Sequence, residues 1–218
     1  MRIVLAVAAI VLAAPALAKP SFDCAHASNE AEKAICEAPA LQWFDRQMAR
    51  LYVSARTGAD AMARSMLVTT QRDYLHARDR CGGDYACLFE AYERRLETLG
   101  AEADRLAGRY QSFAHFQGDG FAGDLWIGRY GDKGAIMIET VGGGDHTCAY
   151  ETDAAVVTGR GVVKAEGEQD FEGEACHIDV IPNGEDMDVE TKHCSYYCGM
   201  RATMDGHYVL TGAASGAQ

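Results

Sequence analysis

Past its first eighteen residues, this chain has no apolar run approaching the roughly 20 residues that a helical membrane span needs. It has no Cys-x-x-Cys pair, which argues against a zinc site of the usual spacing. Serines are few, and Gly-x-Ser-x-Gly, His-Glu-x-x-His, a phosphate-binding loop and a dinucleotide fingerprint are all missing. No familiar reaction centre is therefore written in the chain, and an enzyme is not expected. Basic residues are scarce in the second half. Residues 108–218 hold 7 basic and 18 acidic side chains, a net of −11, against 12 and 14, a net of −2, in residues 19–107. So negative a field disfavours nucleic acid and anionic membranes and attracts cationic proteins. Glycine is scarce in the first half, with four before residue 108 and nineteen from there onward. The first half is thus free to be helical, and the second must be rich in turns.

Residues 1–18 read as an export signal. Arg2 is the positive start, Ile3 to Ala14 the apolar stretch, and Ala16-Leu17-Ala18 the small-x-small pattern of a cleavage site before Lys19. The residue after that cut is lysine rather than cysteine, so no lipid or membrane anchor is expected, and the mature chain should be periplasmic or secreted. Eight cysteines follow: Cys24, Cys36, Cys81, Cys87, Cys148, Cys176, Cys194 and Cys198. An even count in an exported chain reads as disulfides. They divide four and four, and pairing confined to each half leaves three arrangements in each. Each bridge typically stabilises by about 2–4 kcal/mol. His146, His177 and His193 lie within two residues of a cysteine, but an oxidised cysteine is no thiolate ligand, so neither metal nor cofactor is expected.

The expected fold class is α+β: a small disulfide-stapled antiparallel helical bundle over residues 19–107, then an acidic antiparallel β-barrel or sandwich over 108–212, then a flexible tail at 213–218. Asn29 caps a first helix, with Glu32 as the returning carboxylate. Pro39 opens a second, on which Leu41, Phe44, Met48, Leu51, Tyr52 and Ala55 form a stripe. A third runs from about Asp60 to Arg80. Gly82-Gly83 turn the chain into a fourth, with Tyr85, Leu88, Phe89, Tyr92, Leu96 and Leu99 on one face. From Gly123 the apolar residues alternate or form short runs between glycines. Expected strands are 125–130, 135–141, 146–152, 154–158, 162–165, 176–181, 187–191, 199–204 and 208–211, with turns at Gly142-Gly143-Gly144-Asp145, Pro182-Asn183-Gly184 and Asp205-Gly206.

The helical half also carries an ordered set of motifs: Ser21-Phe22-Asp23-Cys24, Glu32-Lys33-Ala34-Ile35-Cys36, Leu41 with Phe44-Asp45, Gln71-Arg72-x-Tyr74-Leu75-x-x-Arg78-Asp79-x-Cys81, and Cys87-Leu88 with Tyr92 and Arg95. Over residues 21–99 this resembles the LprI-type N-terminal domain of bacterial lysozyme inhibitors. The resemblance implies a helical fold and, as partner, a cationic protein such as c-type lysozyme, whose cleft would be blocked. The Ser-Gly-x-x-Tyr signature of β-barrel lysozyme inhibitors has no counterpart here, since Ser215-Gly216 is followed only by Ala-Gln. The alternatives are a periplasmic interaction or scaffold protein without inhibitory action, and a hydrolase built on a carboxylate pair. The oligomeric state is not legible.

Several residues stand out as contact or structural candidates. Gly143, Gly144, Asp145 and His146 form either a loop presented to a partner or a plain hairpin turn. Tyr196 and Tyr197, between Cys194 and Cys198, lie in the core or on an exposed rim. Trp43, off the apolar stripe of its helix, either covers the first helix or serves as an aromatic anchor for a partner. Asp45, Arg72, Arg78 and Asp79 are expected to be ion pairs fixing helix register. The acidic stretch 166–174 reads as a solvated loop.

Overall fold

The computed structural model describes residues 19–107, 111–158, 161–170 and 172–211, with the side chains of 102–107 and 111 left aside. The export signal, the Gly108 boundary and the 213–218 tail lie outside the described residues.

Local chemistry starts each helix. Asn29 Oδ1 accepts from Glu32 N at 2.8 Å and opens α1 (Glu30–Glu37). The Glu32 carboxylate returns one residue beyond the cap, to Ser28 N at 2.6 Å, and that bond holds its pKa below the ordinary value. Pro39 takes the first turn of α2 (Pro39–Gly58). Asp60 caps α3 (Ala61–Asp79) by accepting from Ala63 N, and Asp84 accepts from Cys87 N at the start of α4 (Tyr85–Ala107). Cys24–Cys36 ties the entry turn to α1, and Cys81–Cys87 closes the α3–α4 connection.

Eight antiparallel strands follow and close into a barrel in chain order: β1 (Gln111–Gly118), β2 (Ala122–Tyr130), β3 (Lys133–Val141), β4 (Thr147–Val157), β5 (Val163–Gln169), β6 (Ala175–Asn183), β7 (Asp186–Lys192) and β8 (Gly206–Leu210). Phe116 pairing with Leu210 joins the last strand to the first. The expected choice between barrel and sandwich resolves as a barrel, and the α+β class holds.

Three strand readings change. The breaks expected around Asp153 are a β-bulge inside one strand, β4, so 146–152 and 154–158 are not separate. Residues 199–204 are not a strand but part of the long β7–β8 connection. β1 was not anticipated, because its Phe113 and Phe116 face opposite sides and show no alternation.

The barrel interior holds Leu125, Ile127, Ile136, Ile138, Ile178, Val180, Val189 and Tyr208. A second apolar cluster joins helices to barrel: Phe113, Trp126, Ala135 and Met137, on the outer face of β1–β3, pack with Trp43, Phe44 and Tyr92 of the helices. Strands β2 and β3 are therefore buried on both faces. That is why Leu125-Trp126-Ile127 and Ala135 to Ile138 are unbroken apolar runs, whereas Val163-x-Ala165 and Ile178-x-Val180 alternate. Helix α4 crosses β1 at Gly100, where an added Cβ would lie 3.1 Å from Phe113 N.

Polar contacts finish this junction. Arg46 Nε meets Asp153 at 2.8 Å and its other end Glu151 at 3.3 Å, while Arg50 reaches Asp153 at 3.3 Å. Buried Gln47 accepts from Tyr130 OH at 2.8 Å and donates to Asp153. Trp126 Nε1 donates to Glu93 at 2.9 Å, and His115, stacked on Trp126, lies 3.3 Å from Glu93 and 2.9 Å from Asp124.

Candidate functional site

Up-and-down topology puts the loops after β1, β3, β5 and β7 at one end of the barrel, away from the chain's entry from α4. The loop after β7 is the longest, and both disulfides of this half hold it. Cys194 bridges to Cys176 at the start of β6, and Cys198 to Cys148 at the start of β4. All eight cysteines are thus paired within their own halves, and the described chain carries no free thiol. Such bridges form and persist in an oxidising compartment. Among the described residues no helix is long and apolar enough to cross a membrane.

Residues 193–205 form a cap. Met204 is fully buried at the barrel end, and its carbonyl accepts from Tyr208 OH at 2.8 Å. Thr140 Oγ1 donates to Thr203 O, and Gly199 N donates to Thr147 O. The β3–β4 turn is drawn against this cap. An added Cβ at Gly142 would meet Ala202 Cα at 2.8 Å, so only glycine allows the approach. His146 rests on Gly199, its ring 3.1 Å from where a Cβ would stand. Gly143, Gly144 and Asp145 form the exposed tip, with Gly144 and Asp145 both at positive φ. Tyr196, 57% exposed, stands on the same rim. The fold therefore places Gly143–His146 and Tyr196 at the same end of the barrel, although about fifty residues separate them in sequence.

Tyr197 has a different role. Its ring meets Tyr150 edge-on at 5.0 Å, and its hydroxyl accepts from Glu168 N at 2.7 Å. Burial, the leading cause, pushes the Tyr150 hydroxyl up to about 12. Both tyrosines border a cleft of about 490 Å³ between β4 and β5, lined also by Glu151, Thr152, Glu166, Gly167, Glu168 and Gln169. The expectation of a solvated acidic loop over 166–174 is corrected here. Residues up to Gln169 belong to β5, where Glu166 pairs with His177 of β6, and the loop begins at Asp170. Asp170 folds that loop by accepting from the backbone of Glu174 and Glu172, which lowers its pKa. Glu166 and Glu168 were missed as lining residues because acidic side chains on an outward strand face look like loop. The alternation of Val163, Ala165 and Gly167 was the signal.

Two other expectations change. Trp43 is fully buried, packed on Phe44 and Phe113, and offers nothing to a partner. It lies off the first apolar stripe because α2 is buried on two faces, one toward the helices and one toward the barrel. Arg72 is exposed on α3, since Gln71, Tyr74 and Arg78 take the inward face. The polar centre of the helices is Asp45, which accepts from Ser21 N at 2.6 Å and Tyr92 OH at 2.8 Å, with Arg78 at 4.0 Å. Arg78 in turn binds Asp79 at 2.7 Å, and Arg95 donates to Gln71 at 3.1 Å.

A larger groove of about 650 Å³ is lined by the rim ends of β1–β4, with Asp124 and Glu139 opposite one another on β2 and β3. Crowding by surrounding protein, then the Asp124 charge, raises the Glu139 pKa. A catalytic carboxylate pair also needs exclusion of water and positioned partners. Glu139 is solvent-exposed and Asp124 is engaged by His115, so only the pairing itself is met. Among the described residues no group of three or more His, Cys, Asp or Glu is arranged to hold a metal ion. Comparison with protein-family models, curated proteins and solved structures finds no match to this chain.

Proposed function

We propose that this chain is an exported envelope binding protein whose capped, acidic barrel end engages a cationic protein, with c-type lysozyme as the target and obstruction of its cleft as the action. The observation that carries the reading is the rim itself. Two disulfides fasten the 193–205 cap, which carries the exposed Tyr196, to the same barrel end that bears the Gly143–Asp145 tip and the outer ends of β4 and β5 with Glu166 and Glu168. A rigid aromatic within an acidic surround suits a basic partner: the aromatic supplies contact energy, and the charge supplies steering and register. The net of −11 over residues 108–218 adds long-range attraction. The resemblance of residues 21–99 to the LprI type points to the same partner. Because the Ser-Gly-x-x-Tyr signature is missing, the blocking element would be the Gly143–His146 turn with Tyr196.

A cell-lysis assay with purified lysozyme and the mature chain tests the proposal. Slower lysis and a co-eluting complex in gel filtration are expected. Unchanged lysis at micromolar excess, with no complex, would overturn it. An envelope partner retained in preference to lysozyme would favour the interaction-protein alternative.

A further inference from the structure

The barrel closes unevenly. β3 and β4 pair at eight positions and β5 and β6 at five, but β4 and β5 pair only through Val156 with Lys164 and Val157 with Val163. Toward the rim these two strands part, and the cleft of about 490 Å³ opens between them. Backbone groups on β5 that a neighbouring strand would normally engage are met by side chains instead. Glu166 O accepts from Tyr150 OH at 3.0 Å, and Glu168 N donates to Tyr197 OH at 2.7 Å. Gly167 makes this possible, because a Cβ there would fall 2.6 Å from the Tyr197 hydroxyl. On the facing side, β4 meets only the isolated bridge from Cys198 to Cys148 before its pairing with β5 begins at Val156. Residues Ala149–Thr152 pair with β3 on one side, and on the other the seam-facing backbone of alternate residues is left as a strand edge.

We infer that the parted β4–β5 seam is a docking slot in which an extended, lysine- or arginine-bearing segment of the partner pairs with the β4 edge at Ala149–Thr152. Strand addition supplies main-chain hydrogen bonds, and the flanking side chains decide which sequence fits. Here the flanks are acidic. Glu151 is partly compensated by Arg46 at 3.3 Å, and Glu166 faces His177 at 3.6 Å, which compensates it only when protonated. Exposed Glu168 completes the wall. Side chains alternate along an extended segment, so every second residue of a basic stretch would meet Glu166 or Glu168 while its neighbours rest over Tyr150 and Tyr197. This inference rests on the reading of the partner as a cationic protein, and it adds how that partner is gripped.

Hydrogen exchange on the mature chain tests it with two probes, c-type lysozyme and a short synthetic peptide of alternating lysine and valine. With both probes the seam-facing amides among residues 149–152 should slow by about tenfold or more. The double variant Glu166→Lys, Glu168→Lys should weaken peptide binding by about tenfold, whereas Met62→Ala, exposed on α3, should leave it unchanged. Peptide binding that adds no protection at the seam-facing amides of 149–152 overturns the slot, as does lysozyme protection confined to residues 143–146 and 196. If the peptide protects the seam and lysozyme does not bind, the slot stands and the lysozyme target falls. If neither binds, both fall.

Discussion

The Tyr197 hydroxyl accepts a hydrogen bond from the Glu168 backbone N–H at 2.7 Å, so a side chain from the cap stands where a neighbouring strand would be. Tyr197→Phe keeps the ring against Tyr150 and removes only this bond. A net protein hydrogen bond contributes about 1 kcal/mol, and urea unfolding should show a loss of about that size. The Glu168 amide should also exchange faster, which would separate a local loosening of the seam from general destabilisation.

Trp126 joins the two parts of the molecule through its ring, among Phe44, Phe89 and His115, and through its N–H on Glu93. Trp126→Ala should cost about 3–5 kcal/mol, the usual range for a large buried aromatic. Because the shared cluster couples helices and barrel, wild-type unfolding followed by tryptophan fluorescence and by far-ultraviolet circular dichroism should give coincident midpoints. Both tryptophans, Trp43 and Trp126, report from this junction.

How much of this was legible in the sequence depended on which face of each element mattered. The four helices were readable, because each has a capping or proline signal and a single dominant stripe. The second buried face of α2 was not, since Trp43 and Gln47 look like departures from that stripe until the barrel lies beside them. The clue lay in another part of the chain: the unbroken runs at Leu125–Ile127 and Ala135–Ile138 mark strands covered on both sides. At the candidate site, Gly143–His146 and Tyr196 were singled out separately. Their placement at one barrel end depends on disulfide pairing, and spacing alone left three arrangements open. The seam was invisible, because the parting of two strands is a property of register rather than of residue type.

The cap depends on its bridges. Cys148 and Cys198 are separated by 50 residues, for which the chain-entropy relation gives about 4 kcal/mol. Replacing both by alanine should lower stability by roughly 2–4 kcal/mol in thermal or urea unfolding. Partner binding should fall further than the stability loss explains, since Tyr196 and the Gly143–Asp145 tip lose their fixed relation.

Glu139 gives a pH signature. Its pKa in the folded chain is raised, by crowding first and by Asp124 second, above the ordinary 4.5. The unfolded chain therefore releases this proton at lower pH, and the group's unfavourable contribution grows as pH rises from about 4.5 through the folded value. Glu139→Gln should raise the melting temperature at pH 7 relative to wild type and leave it unchanged near pH 4. Equal shifts at both pH values would assign the effect to packing instead.

The central claim is recognition of a cationic protein by the acidic barrel end, and calorimetric titration of the mature chain with c-type lysozyme at low and high salt tests it most directly. The account predicts a one-to-one complex at low salt that weakens by about tenfold or more at several hundred millimolar salt, because screening removes the steering field. It also predicts further weakening in the Tyr196→Ala and Glu166→Lys, Glu168→Lys variants. No heat of binding at either salt concentration, or binding indifferent to salt and to all three substitutions, would contradict it.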